Sequence, residues 1–392
     1  MNNESYVVLS RKYRPQSFKD MIGQDVLIHT LSNAIARNKI AHAFLFHGIR
    51  GIGKTTTARI LARALNCIGL DGNGGPNINP CGKCDHCVAI LSDRHHDVIE
   101  MDAASKTSVN DIRDIIESCA YRPVTARYKI FIIDEVHMLS NSAFNALLKT
   151  LEEPPGHTKF ILATTEINKI PVTILSRCQR FDLSRYTVQD LASYLKVIGE
   201  KEAVQIENGA LNMIALYSGG SARDALSILD QAVSYNDAMI TEDSIRSMLG
   251  LSSMHDICDL FEHGCNGEVR EMLEMLSRMY KGGGNPKNII QDTLTLIHHI
   301  IKNKHIEGNE AILGQEITGR VRKLSKLLDS DFLIYSWQIL ISGFKELNIA
   351  TNAIYSLEMI FLKICHLTSA RSLKDSAILD NNSDINDNIK KK

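Results

Sequence analysis

Over residues 1–182, short apolar runs alternate with stretches whose apolar positions recur every three or four residues. Residues 43–46, 98–102, 129–135 and 159–165 read as strands, several of them apolar on both faces. Between them the helical period marks residues 25–36, opened by Gly23-Gln24, then 54–65, 110–120 and 142–151. Glu152-Glu153-Pro154-Pro155 stops the last of these. A short helix is expected over 171–178, and Phe181-Asp182 closes the alternation. The pattern predicts an α/β core built on a parallel sheet. Residues 6–23 mix a short strand-like run, a proline and basic residues, and Arg14-Pro15 predicts an extended arm.

From Thr187 the period is helical only. Thr187 and Asp190 form an N-cap pattern, and helices are expected to 199 and over 208–217, 222–235 and 241–249. These make a small helical domain. Beyond 254, Ile289, Ile290, Leu294, Ile297, Ile300 and Ile301 keep helical spacing. So do Leu333, Trp337, Leu340 and Phe344, then Ile354, Leu357, Ile360, Leu362 and Ile364. They read as core and subunit-packing faces. The polar end, 380–388 followed by three lysines, reads as a disordered tail. A chain of 392 residues holds about two to four domains. The expected divisions are 1–182, 183–250, 251–370 and 371–392.

Charge changes this picture little. With Lys+Arg 44 against Asp+Glu 45, any nucleic-acid contact must come from a local stripe. No run of about 18 apolar residues predicts a membrane helix, and residues 1–5 carry no signal-peptide pattern, so a cytoplasmic protein is expected. Nine cysteines in a reducing compartment point to metal or burial before disulfides.

The candidate chemistry begins at residues 47–58, H-G-I-R-G-I-G-K-T-T-T-A. Gly48, Gly53, Lys54 and Thr55 fit the phosphate-loop pattern G-x4-G-K-[ST], between a strand and a helix as the motif requires. Gly48, Gly51 and Gly53 let the backbone turn its N–H groups onto phosphate oxygens, and the helix starting at Lys54 adds its positive end. The expected ATP contacts run from Gly48 through Ile49, Arg50, Gly51, Ile52, Gly53, Lys54 and Thr55 to Thr56, with Lys54 on the β/γ-phosphates and Thr55 on Mg²⁺. Asp134 and Glu135 end a buried strand whose parallel neighbours set them beside that loop. Asp134 is then placed to hold Mg²⁺ through water, and Glu135 to polarise an attacking water. Arg14 and Pro15 belong either to an ordinary loop or to an arm folded over the nucleotide base.

Cys67, Cys81, Cys84 and Cys87 follow as C-x13-C-x2-C-x2-C, with a Gly-, Asn- and Pro-rich excursion at 69–80. The x2 spacings let thiolates converge on one tetrahedral ion, and four sulfurs close the site. The pattern predicts a structural Zn²⁺ module over about residues 67–90, with His86 inside it but not needed as a ligand.

Taken together these residues resemble the gamma/tau family of bacterial DNA polymerase III clamp-loader subunits, which are AAA+ ATPases. The likeness rests on R-K-Y-R-P-Q-S-F, H-G-I-R-G-I-G-K-T-T-T-A-R, the four cysteines, D-E-V-H-M-L, F-N-A-L-L-K-T-L-E-E-P-P, L-A-T-T-E, P-V-T-I-L-S-R-C and G-S-A-R-D-A-L-S-I-L-D-Q-A. They lie densely over residues 5–235; beyond 250 only helical character and length agree.

The resemblance implies an ATPase core, a helical lid and a helical collar that gathers subunits into a ring of five. It implies ATP, Mg²⁺ and Zn²⁺ as cofactors. The implied partners are delta and delta-prime subunits, further gamma/tau copies, the sliding clamp and primer-template DNA, with no membrane. Thr165 matches the sensor of the γ-phosphate and Arg223 the lid arginine. Arg177 matches an arginine finger serving the neighbouring subunit, although alone it reads as a solvated charge or a helix cap. Lys106 matches a DNA-facing cation, with Ser108 in place of a second, and Lys149 and Lys169 are further candidates.

Ile49 and Ile52 fall at positions the loop motif leaves free, and the cysteine excursion is longer than usual in the family. A chain of this length matches the short, gamma-like form, without polymerase-tethering domains. A non-hydrolysing scaffold subunit would need a broken phosphate loop, and this loop is whole. The cysteines argue against a branch-migration ATPase and against an archaeal/eukaryotic-type loader ATPase. Outside Asp134–Glu135 no paired-acid polymerase motif is present, so the expected activity is ATP hydrolysis within the DNA-directed DNA polymerase holoenzyme.

Overall fold

A computed structural model describes residues 6–106, 108–235, 239–306 and 315–367. The chain divides into two compact units, residues 1–242 and 243–392. Among the described residues no helix is long and apolar enough to cross a membrane.

The first unit is built on five parallel strands, β1 (Ala43–His47), β2 (Val98–Asp102), β3 (Lys129–Asp134), β4 (Thr158–Thr164) and β5 (Gln179–Asp182), in the order β2-β3-β4-β1-β5. Every residue of β4 is buried, and so are the central four of β3. Helices covering both faces of the sheet explain why these strands read as unbroken apolar runs. Phe131, Phe160, Leu45 and Leu147 pack on one side, and Phe44, Phe46, Ile132 and Leu61 on the other. β1 lies between β4 and β5, with His47 level with Thr164 and Asp182. The carboxyl ends of β1, β3 and β4 therefore meet at one rim.

Two sequence expectations fail here. The strand-like run at 6–8 forms no strand: Val7 and Val8 are exposed, and the chain instead makes a helical turn, Leu9–Lys12, that buries Leu9. Residues beyond 187 are also not purely helical, because Gln205–Ile206 (β6) and Met239–Ile240 (β7) pair in parallel. That pair ties helices Val188–Lys201 and Asn208–Tyr217 to the stretch after Ala222–Tyr235. Thr187 caps the first of these by accepting from the Asp190 N–H at 3.1 Å, with the Asp190 carboxylate bonding back. The short helix expected over 171–178 is a single turn, Val172–Leu175.

The second unit packs helices Met254–Asn266, Val269–Lys281, Pro286–His305, Gln315–Leu327, Ser330–Glu346 and 353–367. Ile289, Ile290, Ile297, Ile300, Leu340, Leu357 and Ile360 are buried in its core, while Trp337, Phe344 and Ile354 pack partly buried against it. The expected disordered tail lies outside the described residues.

Candidate nucleotide site and cysteine cluster

The turn between β1 and helix Lys54–Asn66 depends on two glycines in the left-handed region, Gly51 at φ +76° and Gly53 at φ +107°. Gly48 differs from expectation. It has no positive φ, and the space there is tight, since a Cβ would lie 3.1 Å from the Leu183 carbonyl oxygen and force a small shift. At Gly51 a Cβ would fall 2.1 Å from Ser221 Oγ, and the Gly51 carbonyl accepts the Arg223 N–H at 3.3 Å. The helix Ala222–Tyr235 thus starts on the loop itself.

Lys54 is 5% exposed, and its Nζ donates to the carbonyls of Gly48 and Ile49 at 3.0 Å each. Burial lowers its pKa, with Glu135 and Asp134 pulling the other way. Thr55 Oγ1 donates to Asp134 Oδ2, and the Glu135 N–H donates to Asp134 Oδ1 at 2.9 Å. Glu135 itself sits at φ +46°, an uncommon conformation for a side chain of its size, and its Oε2 accepts from Thr165 Oγ1 at 3.1 Å.

A cavity of about 1370 Å³ opens above this rim. Arg14 and Pro15, the loop from Ile49 to Thr56, Asp134, Glu135, Thr165 and Arg223 all line it. Gly48 does not; its carbonyl serves Lys54. Arg177 also lies outside the cavity. It donates to Thr173 O at 2.6 Å and pairs with Glu152, as a local cap would. Lys106, Lys149 and Lys169 are exposed at three separate places in the chain.

Sequence reasoning missed part of the wall. Arg59 lies on the cavity and holds Glu100 of β2 in a two-pronged pair, Nε to Oε2 at 2.6 Å and Nη2 to Oε1 at 2.8 Å. The signal was present in outline: Arg59 is one helical turn beyond Thr55, on the same face. Tyr186, whose hydroxyl donates to the Ile52 carbonyl at 3.3 Å, and His137 also line the cavity, and neither had a local signature.

The four cysteines converge. Cys67 follows the last residue of the phosphate-loop helix, Cys84 caps helix Asp85–Leu91, and Cys87 sits in its first turn. Their sulfurs all lie within 4.8 Å of one another, near the roughly 3.8 Å of a tetrahedral set with about 2.3 Å bonds. Backbone N–H groups of Gly69 and Cys81 point at Cys67 Sγ, and that of Cys84 at Cys81 Sγ, at 3.3–3.4 Å. Burial pushes the Cys81 thiol up, but the N–H groups of Lys83 and Cys84 together with the Cys67 and Cys84 side chains outweigh it and bring its pKa down to about 6. Converging sulfurs offered N–H donors suit a thiolate-binding metal, so the cluster can hold a metal ion. His86 turns elsewhere. His95 Nδ1 accepts the Asp97 N–H at 3.0 Å, so its Nε2 carries the proton and donates to His86 Nδ1 at 2.8 Å.

Three family models match in succession. Residues 23–187 match one described as DNA polymerase III, delta subunit, and residues 190–238 one for the ATPase lid domain of a DNA polymerase III clamp loader subunit. Residues 240–377 match domain III of DNA polymerase III subunits gamma and tau. The chain is 40% identical over 377 residues to DNA polymerase III subunit tau of Bacillus subtilis, covering 96% of this chain and 66% of that protein. It is 39% identical to the Escherichia coli tau subunit over 92% of this chain and 55% of that one. The chain therefore spans about half to two-thirds of the tau subunits it matches. Against DNA polymerase III subunit gamma of Buchnera aphidicola subsp. Baizongia pistaciae it is 38% identical over 93% of this chain and 98% of that protein. With a likeness of that extent, and an intact phosphate loop beside a four-cysteine cluster, the chain belongs to the DNA polymerase III gamma/tau family.

Proposed function

We propose that this chain is an ATP-hydrolysing clamp-loader subunit that loads a sliding clamp onto primed DNA during replication. The observation that carries this reading is the chain of direct contacts joining Thr55, Asp134, Glu135 and Thr165 on one cavity that Lys54 also lines. A scaffold that only binds nucleotide has no use for an acid held beside a hydroxyl sensor at the mouth of the cavity.

In this reading the loop backbone and Lys54 hold the phosphates, and Thr55 and Asp134 hold Mg²⁺. The ion supplies neutralising charge to the phosphates when bound. Lys54, already desolvated, gives up its two carbonyl partners for phosphate oxygens at little added cost. Glu135 orients and deprotonates the attacking water, and Thr165 fixes the Glu135 carboxylate against the γ-phosphate position. Arg223 reaches the same phosphate from the lid, while Arg14 and Pro15 lie over the base. Cys67, Cys81, Cys84 and Cys87 bind a structural Zn²⁺ with no position left for water.

Residues 1–182 then act as the AAA+ core, 183–250 as the lid and 251–370 as the collar. The collar assembles a ring of five with delta, delta-prime and further copies of this chain, and Lys106, Lys149 and Lys169 face primer-template DNA. A cytoplasmic protein fits that role.

The test uses two substitutions in the assembled complex. Lys54→Ala is expected to abolish nucleotide binding. Glu135→Gln keeps the shape of the side chain and loses the base, so binding of a fluorescent ATP analogue persists while hydrolysis falls by about 10²-fold or more. Wild-type hydrolysis by Glu135→Gln would overturn the assignment.

A further inference from the structure

Thr55, Arg59, Arg63 and Cys67 follow one another at four-residue spacing along the phosphate-loop helix. One winding stripe therefore leads from the nucleotide cavity, which the first three line, to the cysteine cluster. Arg63 is 3% exposed, yet its guanidinium makes a single bond, Nη1 donating to the Gln16 carbonyl at 2.6 Å. Its Nε is buried with no partner, and among the described residues no carboxylate pairs with it. Its Nη2 lies toward the cysteines: a Cβ built on Gly82 would stand 3.4 Å from it. Gly82 forms the tip of the knuckle between Cys81 and Cys84, at φ +74°, and its N–H bonds the Cys87 sulfur. On the other side, Gln16 belongs to the arm that carries Arg14 and Pro15 onto the cavity. Asp20 Oδ2 accepts the N–H groups of Gln16 and Ser17 at 3.3 and 2.9 Å, so the arm's own turn holds its N–H side. Arg63 holds the carbonyl side.

We propose that Arg63 is a positioning residue that couples metal binding at the cysteine cluster to the arm over the nucleotide base. This rests on the cysteines holding Zn²⁺ and on Arg14 and Pro15 lying over the base. The argument is one of charge. A guanidinium buried beside one neutral acceptor and no anion is costly unless a countercharge stands near it. Four thiolates around a divalent ion carry an excess of negative charge, and their knuckle is what Nη2 approaches. Such outer partners of a metal centre are held by it and in turn support it. With the ion bound, Arg63 is fixed between knuckle and arm, and the Gln16 carbonyl is fixed with it. Without the ion nothing gathers the four sulfurs, and Arg63 loses both the wall it rests on and its countercharge. Gln16 is then free, and Arg14 and Pro15 no longer have one position over the base. The helix itself stays in place, so the phosphate loop is spared.

The experiment measures binding of ATP and of inorganic tripolyphosphate to the full chain, with zinc bound and after its removal by a chelator under reducing conditions. Amide hydrogen exchange is followed over residues 14–18 and over the sheet. Zinc removal from the wild type is expected to weaken ATP at least about fivefold, to leave tripolyphosphate unchanged, and to speed exchange at 14–18 but not in the sheet. By reciprocity ATP should tighten zinc by the same factor against a competing chelator, and tripolyphosphate should not. Arg63→Met is expected to weaken ATP as much with zinc still bound, and zinc removal should then add little. Arg63→Lys, which keeps the charge and one donor, should restore the zinc dependence. Unchanged ATP affinity and unchanged exchange at 14–18 on losing bound zinc overturn the coupling and leave the metal assignment standing. Additive losses in Arg63→Met overturn it too, since a residue that merely packs would give them. Equal losses for ATP and tripolyphosphate place the damage in the phosphate loop and overturn the arm as the route. Protein that binds no zinc overturns the cysteine assignment and the coupling with it.

Discussion

Single residues set the two most exacting features of the first unit. A side chain at position 51 meets both a left-handed backbone, costing about 1–2 kcal/mol, and the Ser221 hydroxyl at 2.1 Å from its Cβ. Gly51→Ala is expected to weaken nucleotide binding at least about tenfold, roughly 1.4 kcal/mol, with the strands of the sheet still protected in hydrogen exchange. Asp97 is a second such residue. It is 1% exposed, and its carboxylate accepts the N–H groups of Val124 and Thr125 at 2.8 Å and of Ala126 at 2.9 Å. Burial pushes its pKa up, but those donors prevail and hold it below the ordinary value. A carboxyl lowered on folding contributes its stability in full above the unfolded pKa, and loses it as pH falls below about 4. Asp97→Asn should cost about 1–3 kcal/mol at pH 7 in urea titrations, and the gap to wild type should narrow below pH 4. A constant gap across that range would show that the charge is not what the loop requires.

Much of the nucleotide site was legible at this scale because its chemistry is local. Gly53, Lys54 and Thr55 must be neighbours for a loop to turn into a helix around phosphate. His137 was not legible as part of the site, and Arg59 only in outline, by its place one turn beyond Thr55. Their partners, Thr164, Glu166 and Glu100, are brought to them by strand order, which no local spacing encodes.

Among the elements, the strands announced themselves because burial on both faces removes polar positions from the run. Their order did not. β1 lies between β4 and β5 because long crossovers return the chain there, and the apolar pattern is the same for every order. The run at residues 6–8 misled because three apolar residues are too short a signal: they stay exposed, and the Tyr6 hydroxyl donates to Asp230 instead.

The cysteine excursion has its own attachment to the core. Arg127 donates to Leu65 O and Gly74 O at 2.6 Å each, and Asn66 exchanges two 2.9 Å bonds with the backbone of Tyr128. The end of the phosphate-loop helix is thus fastened to the start of β3 without help from the cysteines. Metal analysis of protein purified under reducing conditions is expected to find about one zinc per chain. Cys84→Ser should speed hydrogen exchange over residues 67–90 far more than in the sheet. Equal protection of that segment with and without the substitution would count against a metal there.

For the molecule as a whole, Arg177 decides whether the site is complete within one chain. It lies outside the cavity and is held by Thr173 and Glu152, while Lys54 and Arg223 already face the nucleotide position. Arg177→Ala is therefore expected to leave ATP binding by the isolated chain nearly unchanged. In the assembled complex it should cut stimulated hydrolysis at least about tenfold, roughly 1.4 kcal/mol of transition-state stabilisation. Complexes mixing Arg177→Ala with Lys54→Ala subunits separate the cases: loss confined to the subunit carrying the change would mean the arginine acts in its own chain.

The seat of helix Ala222–Tyr235 on the phosphate loop also bears on how such a chain can change over generations. Ser221 and Gly51 occupy nearly the same space, and the backbone of Arg223 is bonded to Gly51. Enlarging either side chain displaces the other, so substitutions at the two positions are expected to be coupled though they lie far apart in the chain. A library randomising both and selected for growth should return a side chain at 51 only in company with a residue smaller than serine at 221.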